Sequence, residues 1–249
     1  MKYLLIDSMN MFFRAKHVTS RQADSWSKVG FALQITMSSV NKAYRLTGAD
    51  HVVFCFEGKS WRKEFFTPYK ANRAAARAAL SEREQEEDEL FFEAYNDLVE
   101  FWQNETNCTT LQCSIAEADD LIARWIKLHP DDQHTIVSSD SDFYQLLAEN
   151  VQQYNGIEKH MITLDGIYDD NNKPVIDKKT KEPKAPPEPK WTLFEKCMRG
   201  DTSDNVFSAY PGVRKKGTKN KVGLLDAFED RDSKGYSWNN MMLQRWTDH

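Results

Sequence analysis

Cysteine is scarce in this 249-residue chain. Its four cysteines include no C-x-x-C pair, which excludes a disulfide scaffold and points to a reducing compartment. Long apolar runs are missing, and nothing approaches the roughly 20 residues that a spanning helix needs. The opening MKYLLID turns acidic after four apolar residues, so it does not read as a secretory signal. Cytoplasmic localisation without a membrane partner is the expectation. No glycine-rich phosphate loop and no G-x-S-x-G elbow occurs, and the histidines show no paired spacing suited to catalysis. Basic charge is not in excess either: 33 Lys and Arg face 38 Asp and Glu, a net charge of −5 that on average argues against a nucleic-acid binder. What is present fits a globular protein of one large or two small domains, with 40% hydrophobic and 29% charged residues.

The average conceals segregation. Residues 59–77 carry six basic groups and only one acid, Glu64, while residues 214–221 carry five basic groups and no acid. Apolar patterning predicts strands at Tyr3–Ile6, His51–Phe56, Cys108–Cys113 and His134–Val137. Helical periodicity marks 28–47 (stopped by Gly48), a long stretch to about Gln103, Ala116–Leu128 and the short Ser141–Ala148. Alternating strands and helices predict an α/β fold, a twisted and mostly parallel sheet flanked by helices. Residues 173–190 hold five of the eight prolines and six lysines, the composition of an exposed connector. Beyond it, Trp191–Arg199 and the stretch from Val222 onward read as helical. The expected organisation is a core over 1–165, a connector over 166–190 and a helical region over 191–249.

In an open parallel sheet, ligands bind beyond the carboxyl ends of the strands. Asp7 follows the first strand, Glu57 the second, and Asp140 and Asp142 the segment TIVS. Glu117, Asp119 and Asp120 open a helix, where the dipole favours negative charge. Asp201 and Asp204 stand at i,i+3 spacing and would share one face if helical. The plain alternative for each is a turn or helix cap. Their joint placement argues for more. Two charges 4 Å apart repel by about 4 kcal/mol at an effective dielectric near 20, so a shared cleft requires protonation or cations. Oxygen donors without His or Cys select magnesium, manganese or calcium. Two such ions form the usual device for phosphodiester hydrolysis. Cys108, Cys113, His129 and His134 loosely resemble a zinc set, but the residues between them read better as an amphipathic helix.

The string GKSWRKEFFTPYKANRAAAR mixes cations with Trp61, Phe65, Phe66 and Tyr69, the combination that grips single strands; its plain alternative is a solvated helix face. A cation such as Lys70 or Arg73 could stabilise charge on a reacting phosphate. The string YPGVRKKGTKNKVGLLDAF sets glycines among lysines, a turn suited to duplex phosphates or simply a basic loop.

In order, IDSMN, FEGKSWRKEF, YKANR, EADD, SSDSDF and RGDTSDN resemble the 5′-nuclease superfamily over about residues 3–228, and specifically its bacteriophage 5′→3′ exonuclease/flap endonuclease type, which includes the phage enzymes called ribonuclease H. The resemblance implies an arch at about 58–90 that threads a 5′ single strand, and a C-terminal helix–three-turn–helix that grips duplex. It implies two magnesium ions, replaceable by manganese. Asp7, Glu57, Glu117, Asp119 and Asp140 match the tighter metal group, with Asp120 beside them; Asp142, Asp201 and Asp204 match the second. Lys70 and Arg73 match residues contacting the scissile phosphate. Tyr69 matches a base-stacking position, Arg14 and Lys16 match substrate-holding residues, and Arg62, Lys63, Lys215, Lys216 and Lys219 are the remaining nucleic-acid candidates. The 211–218 turn is the candidate position for a potassium ion, although it is longer than the family's compact Gly-x-Gly form. Glu57 stands where many members have Asp. Family members usually continue past the point where this chain stops at His249, which suggests a shortened C-terminus.

The implied activity is magnesium-dependent, structure-specific 5′ cleavage of DNA flaps, nicked or branched DNA and RNA–DNA duplex. The implied role is removal of lagging-strand primers, in the host cytoplasm if phage-encoded, with single-strand-binding protein or polymerase as candidate partners. Two other readings of the residues stay open: a PIN-like single-strand ribonuclease needing about four acids, and a DNA-structure-binding protein without cleavage.

Overall fold

Short runs of branched and aromatic residues bounded by polar turns build the centre of the molecule. They form β1 (Lys2–Asp7), β2 (His51–Phe56), β3 (Thr109–Gln112), β4 (Gln133–Val137) and β5 (Val151–Asn155), all parallel. Two short antiparallel strands, β6 (His160–Ile162) and β7 (Ile167–Asp169), complete a seven-stranded sheet of order β3-β2-β1-β4-β5-β6-β7. A computed structural model describes residues 1–19, 24–210, 212, 222–232 and 237–248. It divides into unit 1, Met1–Trp61 with Ala79–Pro187, and unit 2, Arg62–Ala78 with Glu188–His249.

Side chains alternate across the sheet of unit 1 and are covered on both faces. Leu4 and Ile6 of β1 and Phe54 and Phe56 of β2 pack toward α1 (Ser8–Val18), α2 (Ser25–Thr47) and α5 (Glu82–Asn104). There Trp102 stacks on Phe54 with centroids 4.0 Å apart. Tyr3, Leu5, Val53 and Cys55 face the other way, onto Ile122 and Ala118 of α6 (Ala118–Leu128) and Phe143 of a 3-10 helix, Ser141–Leu146. Gly48 ends α2 in the left-handed region, φ 58°, as its place after the periodic stretch predicts. His129 and His134 belong to this packing: both rings lie against Tyr3, and His134 Nε2 is 2.9 Å from the His129 carbonyl.

Two features differ from expectation. Neither β5 nor the antiparallel edge β6–β7 has a counterpart in the sequence reading, and for β6 and β7 the reason is that strands of three residues are too short to show a period. The composition of 166–190 marks a connector, yet β7 lies inside it, and most of the rest follows the sheet edge. Val175 N–H donates to the Ile167 carbonyl and Lys184 N–H to the Val175 carbonyl, both at 2.8 Å. Prolines fit such an edge, where no partner strand needs their missing N–H.

In unit 2, α3 (Arg62–Phe65) and α4 (Ala71–Ala78) fall within the segment expected as an arch, and neither buries a residue. The unit's core is small: Phe194 and Met198 of α7 (Pro189–Arg199), Ala227 of α8 (Leu224–Glu229) and Trp238 of α9 (Trp238–Asp248). The 213–221 stretch, with Lys215, Lys216, Lys219 and nearly all of the turn considered for potassium, lies outside the described residues. Among the described residues no helix is long and apolar enough to cross a membrane.

Candidate active site

Three strand ends and one helix start bring acids to a common edge of unit 1. Asp7 closes β1 opposite Cys55 in the β1–β2 register, Glu57 follows β2, and Asp140 stands just past β4. Asp7 and Asp140 cap the helices that follow them, and Glu57 accepts from the first N–H of α6. Asp7 accepts from Asn10 N–H at 3.3 Å, Glu57 from Ala118 N–H at 3.3 Å, and Asp140 from Asp142 N–H at 2.9 Å. Capping and clustering therefore coexist, because a strand that runs straight into a helix places its cap at the sheet's carboxyl edge.

Asp7 is 4% exposed and accepts from Ser138 Oγ at 2.9 Å. Burial, with the neighbouring charges of Glu57 and Asp140, pushes its carboxyl up to about 7, against the lowering effect of the Ser138 and Asn10 hydrogen bonds. The same field reaches further. Burial first, then the charges of Asp7 and Asp119, push the Cys55 thiol up, and burial with Glu57 and Asp7 does the same to the Tyr95 phenol. Asp7, Glu57, Asp119 and Asp140 thus share one electrostatic neighbourhood.

Glu117 is buried and accepts from Ser60 Oγ at 2.9 Å, while Asp120 accepts from Glu117 N–H at 3.1 Å and opens α6. Gly58 makes this turn possible. A Cβ built there would lie 1.9 Å from the Cys113 carbonyl oxygen and 2.6 Å from that of Ala116, and Gly58 N–H bonds the latter at 2.9 Å.

Ser8, Ser60 and Ser138 stand inside the motifs IDSMN, FEGKSWRKEF and SSDSDF without being singled out there, and Tyr95 and Gln153 belong to no motif. Ser8 Oγ lies 2.6 Å from the Cys55 carbonyl and 2.8 Å from Tyr95 Oη. Gln153, fully buried on β5, donates from Nε2 to the carbonyls of Ser138 at 2.9 Å and Asp140 at 2.8 Å. Only alternation within β5 could have drawn attention to it.

The other expected acids, Asp201 and Asp204, belong to unit 2, and they are not helical. Gly200 ends α7 at φ 72°, and Asp201 and Val206 exchange backbone hydrogen bonds across a tight turn. Asp201 accepts from Ser203 N–H and Oγ at 2.8 and 2.6 Å and from Lys196 Nζ at 2.9 Å. Partial burial pushes its carboxyl up, but these bonds prevail and hold it at about 2. Asp204 meets Arg73 at 2.5 Å and Lys70 Nζ at 3.8 Å. The Lys70–Arg73 stretch is fastened to the same turn: Lys70 N–H donates to the Asp204 carbonyl at 2.8 Å, Asn72 Nδ2 to that of Ser203 at 3.1 Å, and Asn205 Nδ2 to that of Pro68 at 2.8 Å. Lys70 itself sits at φ 55°, unusual for a side chain of its size.

Among the basic candidates, Lys16 is committed to an ion pair with Asp88 and lies 4.7 Å over the Phe91 ring, so it is not presented as a free cation. The guanidinium of Arg14 has one buried nitrogen, NH1, without a hydrogen-bond partner. Lys70 Nζ stands 5.1 Å over the Tyr69 ring. Arg62 and Lys63 are on α3, where Lys63 is exposed.

The donor set at the edge of unit 1 is oxygen only, and a hard divalent cation would offset both the burial and the mutual repulsion acting on Asp7. Among the described residues no three His, Cys, Asp or Glu side chains close around one point as a ready-made cage. The acids share an edge while their oxygens serve capping bonds.

Parallel strands that deliver carboxylates to one end of a helix-flanked sheet define an α/β protein of 5′-nuclease architecture. The chain belongs to the 5′-3′ exonuclease family: residues 2–177 match its N-terminal resolvase-like domain. The flap endonuclease of Escherichia phage T5 is 28% identical over 228 residues, which is 90% of this chain and 69% of that protein. A 5′-3′ exonuclease of Bacillus subtilis is 28% identical over 242 residues, 93% of this chain and 72% of that one. Among solved structures, zinc-bound T5 5′-exonuclease superposes with TM-score 0.65 at 25% identity, over 92% of this chain and 74% of its own. A T5 flap endonuclease complex with DNA and metal ions, at 22% identity and TM-score 0.67, covers 100% of this chain and 84% of its own and shows the same fold.

Proposed function

We propose that the protein is a divalent-metal-dependent, structure-specific 5′ nuclease. It cuts DNA flaps endonucleolytically, degrades DNA or RNA–DNA duplex from the 5′ end, and serves to remove lagging-strand RNA primers. The observation that carries this is the buried Asp7 facing the charges of Glu57 and Asp140 at the carboxyl edge of the sheet, in a chain of the exonuclease family.

Asp7, Glu57, Glu117, Asp119 and Asp140 are the proposed ligands of one magnesium or manganese ion, and Asp142, Asp201 and Asp204 those of a second. When bound, two such ions supply water activation and charge neutralisation at a phosphodiester. The chain's own residues do the rest. Ser138 and Ser60 orient the Asp7 and Glu117 carboxylates. Lys70 and Arg73 bring positive charge to the scissile phosphate, and Tyr69 offers a ring to a terminal base. Arg14, Arg62 and Lys63 extend the contact to the backbone.

The test is a 5′-labelled flap and a nicked duplex incubated with and without magnesium, followed by product sizing. Short 5′ products only with magnesium, and cleavage abolished in Asp140→Asn while flap binding persists, are expected. Salt-sensitive binding without cleavage in magnesium or manganese would replace this reading with a DNA-structure binder.

A further inference from the structure

A groove of about 480 Å³ runs between α2 and α5 on unit 1. Buried Val29, Ala94 and Leu98 lie at its base, Trp26, Leu33 and Phe101 line it further out, and Glu93 and Asp97 are its acidic lining. The apolar lining comes from both helices, and the acids come from α5 alone. On α2, the face of Trp26, Gly30 and Leu33 continues at helical spacing beyond the groove to Met37 and Tyr44, and Trp26 is 74% exposed. On α5, Glu93 and Asp97 line the groove, and the exposed Glu86, Glu89 and Glu100 extend the same acidic face beyond it at spacings of three and four residues. The nearby cation Lys28 is held by Glu87 at 2.6 Å.

Gly30 adds an independent observation. A glycine inside a helix costs about 1 kcal/mol relative to alanine. Among the described residues, nothing lies within 4 Å of a Cβ built at this position. Packing among the described residues does not require the glycine, which leaves this stretch of the groove open.

We infer that this groove docks an amphipathic helical segment of a partner protein, apolar on one side and flanked by lysines or arginines. The apolar lining takes the helix's anchor side chains, and the acidic face of α5 pairs with its cations. Nucleic acid is excluded by the sign of the acidic face, and an acidic protein tail by the same repulsion. A second copy is disfavoured, because a two-fold pairing of this face would bring Glu93 and Asp97 of both copies together.

The test uses a fluorescent helical peptide of about five turns with leucines at helical spacing and lysines elsewhere, together with its glutamate counterpart. The wild-type protein should bind the lysine peptide and not the glutamate one. Gly30→Leu should weaken binding by at least about tenfold, with the melting temperature unchanged or raised and flap cleavage intact. Glu93→Lys with Asp97→Lys should exchange the preference between peptides. Binding unaffected by Gly30→Leu, equal binding of both peptides, loss of flap cleavage in Gly30→Leu, or a dimer in light scattering that Gly30→Leu dissolves would each overturn the proposal.

Discussion

Asp7 ties stability to one proton, and the metal binding proposed for it would depend on the same proton. Its folded value of about 7 stands above the ordinary 3.8 of an unfolded aspartate. The folded state therefore binds more protons between these values, and stability falls as pH rises through that window, by on the order of 4 kcal/mol in total. Below pH 3.8 the penalty is absent, and above 7 it is complete. If Asp7 ligates the proposed magnesium, the ion would compete for the deprotonated form, and its addition should raise the melting temperature more at pH 8 than at pH 6. Asp7→Asn should flatten the pH slope, stabilise the metal-free protein at pH 8 and remove most of the magnesium gain. An unchanged slope in thermal melts of Asp7→Asn would assign the pH response to another group. At the same scale, Gln153→Leu removes two donors from the Ser138–Asp140 turn. A stability loss of about 2 kcal/mol and a weaker magnesium response are expected, and a loss of stability alone would reduce Gln153 to a core residue.

At the scale of elements, periodicity and punctuation located most of unit 1. The strand HVVFCF and the helix stopped by Gly48 stand where their patterns put them. Asp201 and Asp204 show where local spacing misleads. Three residues apart reads as one helical face, but Gly200 at φ 72° and the Asp201–Ser203 bonds make a turn whose carboxylates answer to Lys196, Lys70 and Arg73 instead. Nothing in the sequence pairs residue 70 with residue 204, because that contact depends on tertiary folding. Asn205 closes this clasp twice over, through its Nδ2 bond to the Pro68 carbonyl and through its own φ of 58°. Asn205→Gly keeps the backbone conformation and loses only the bond, a cost of about 1 kcal/mol. Asn205→Val also forbids the conformation and should cost roughly another 1–2 kcal/mol. Amide exchange of 68–78 should accelerate in both, more in the valine variant; equal rates in wild type and both variants would show that the ion pairs alone hold the segment.

For the whole molecule, the division into units predicts unequal stability. Unit 1 buries a two-faced sheet with Trp102 stacked on Phe54 beside Phe56. Unit 2 rests on the few residues around Phe194, Met198 and Trp238, and its chain enters twice, at 62–78 and at 188–249. This second entry is the large-scale feature that the sequence hides: a basic, aromatic segment that reads as an appendage of the first half belongs with the C-terminal helices. Regions with few buried apolar contacts open first. Amides of α7 and α9 should therefore exchange faster than those of β1, β2 and β4 at neutral pH. Trp238→Ala should lower the first unfolding step by about 3–5 kcal/mol and leave the sheet's step in place. Trp102→Ala, of similar cost, should instead unfold the sheet. If calorimetry of both variants gives one shared transition displaced by the same amount, the two units fold as a single cooperative body, and the clasp between 68–73 and 201–206 is then a brace within one core.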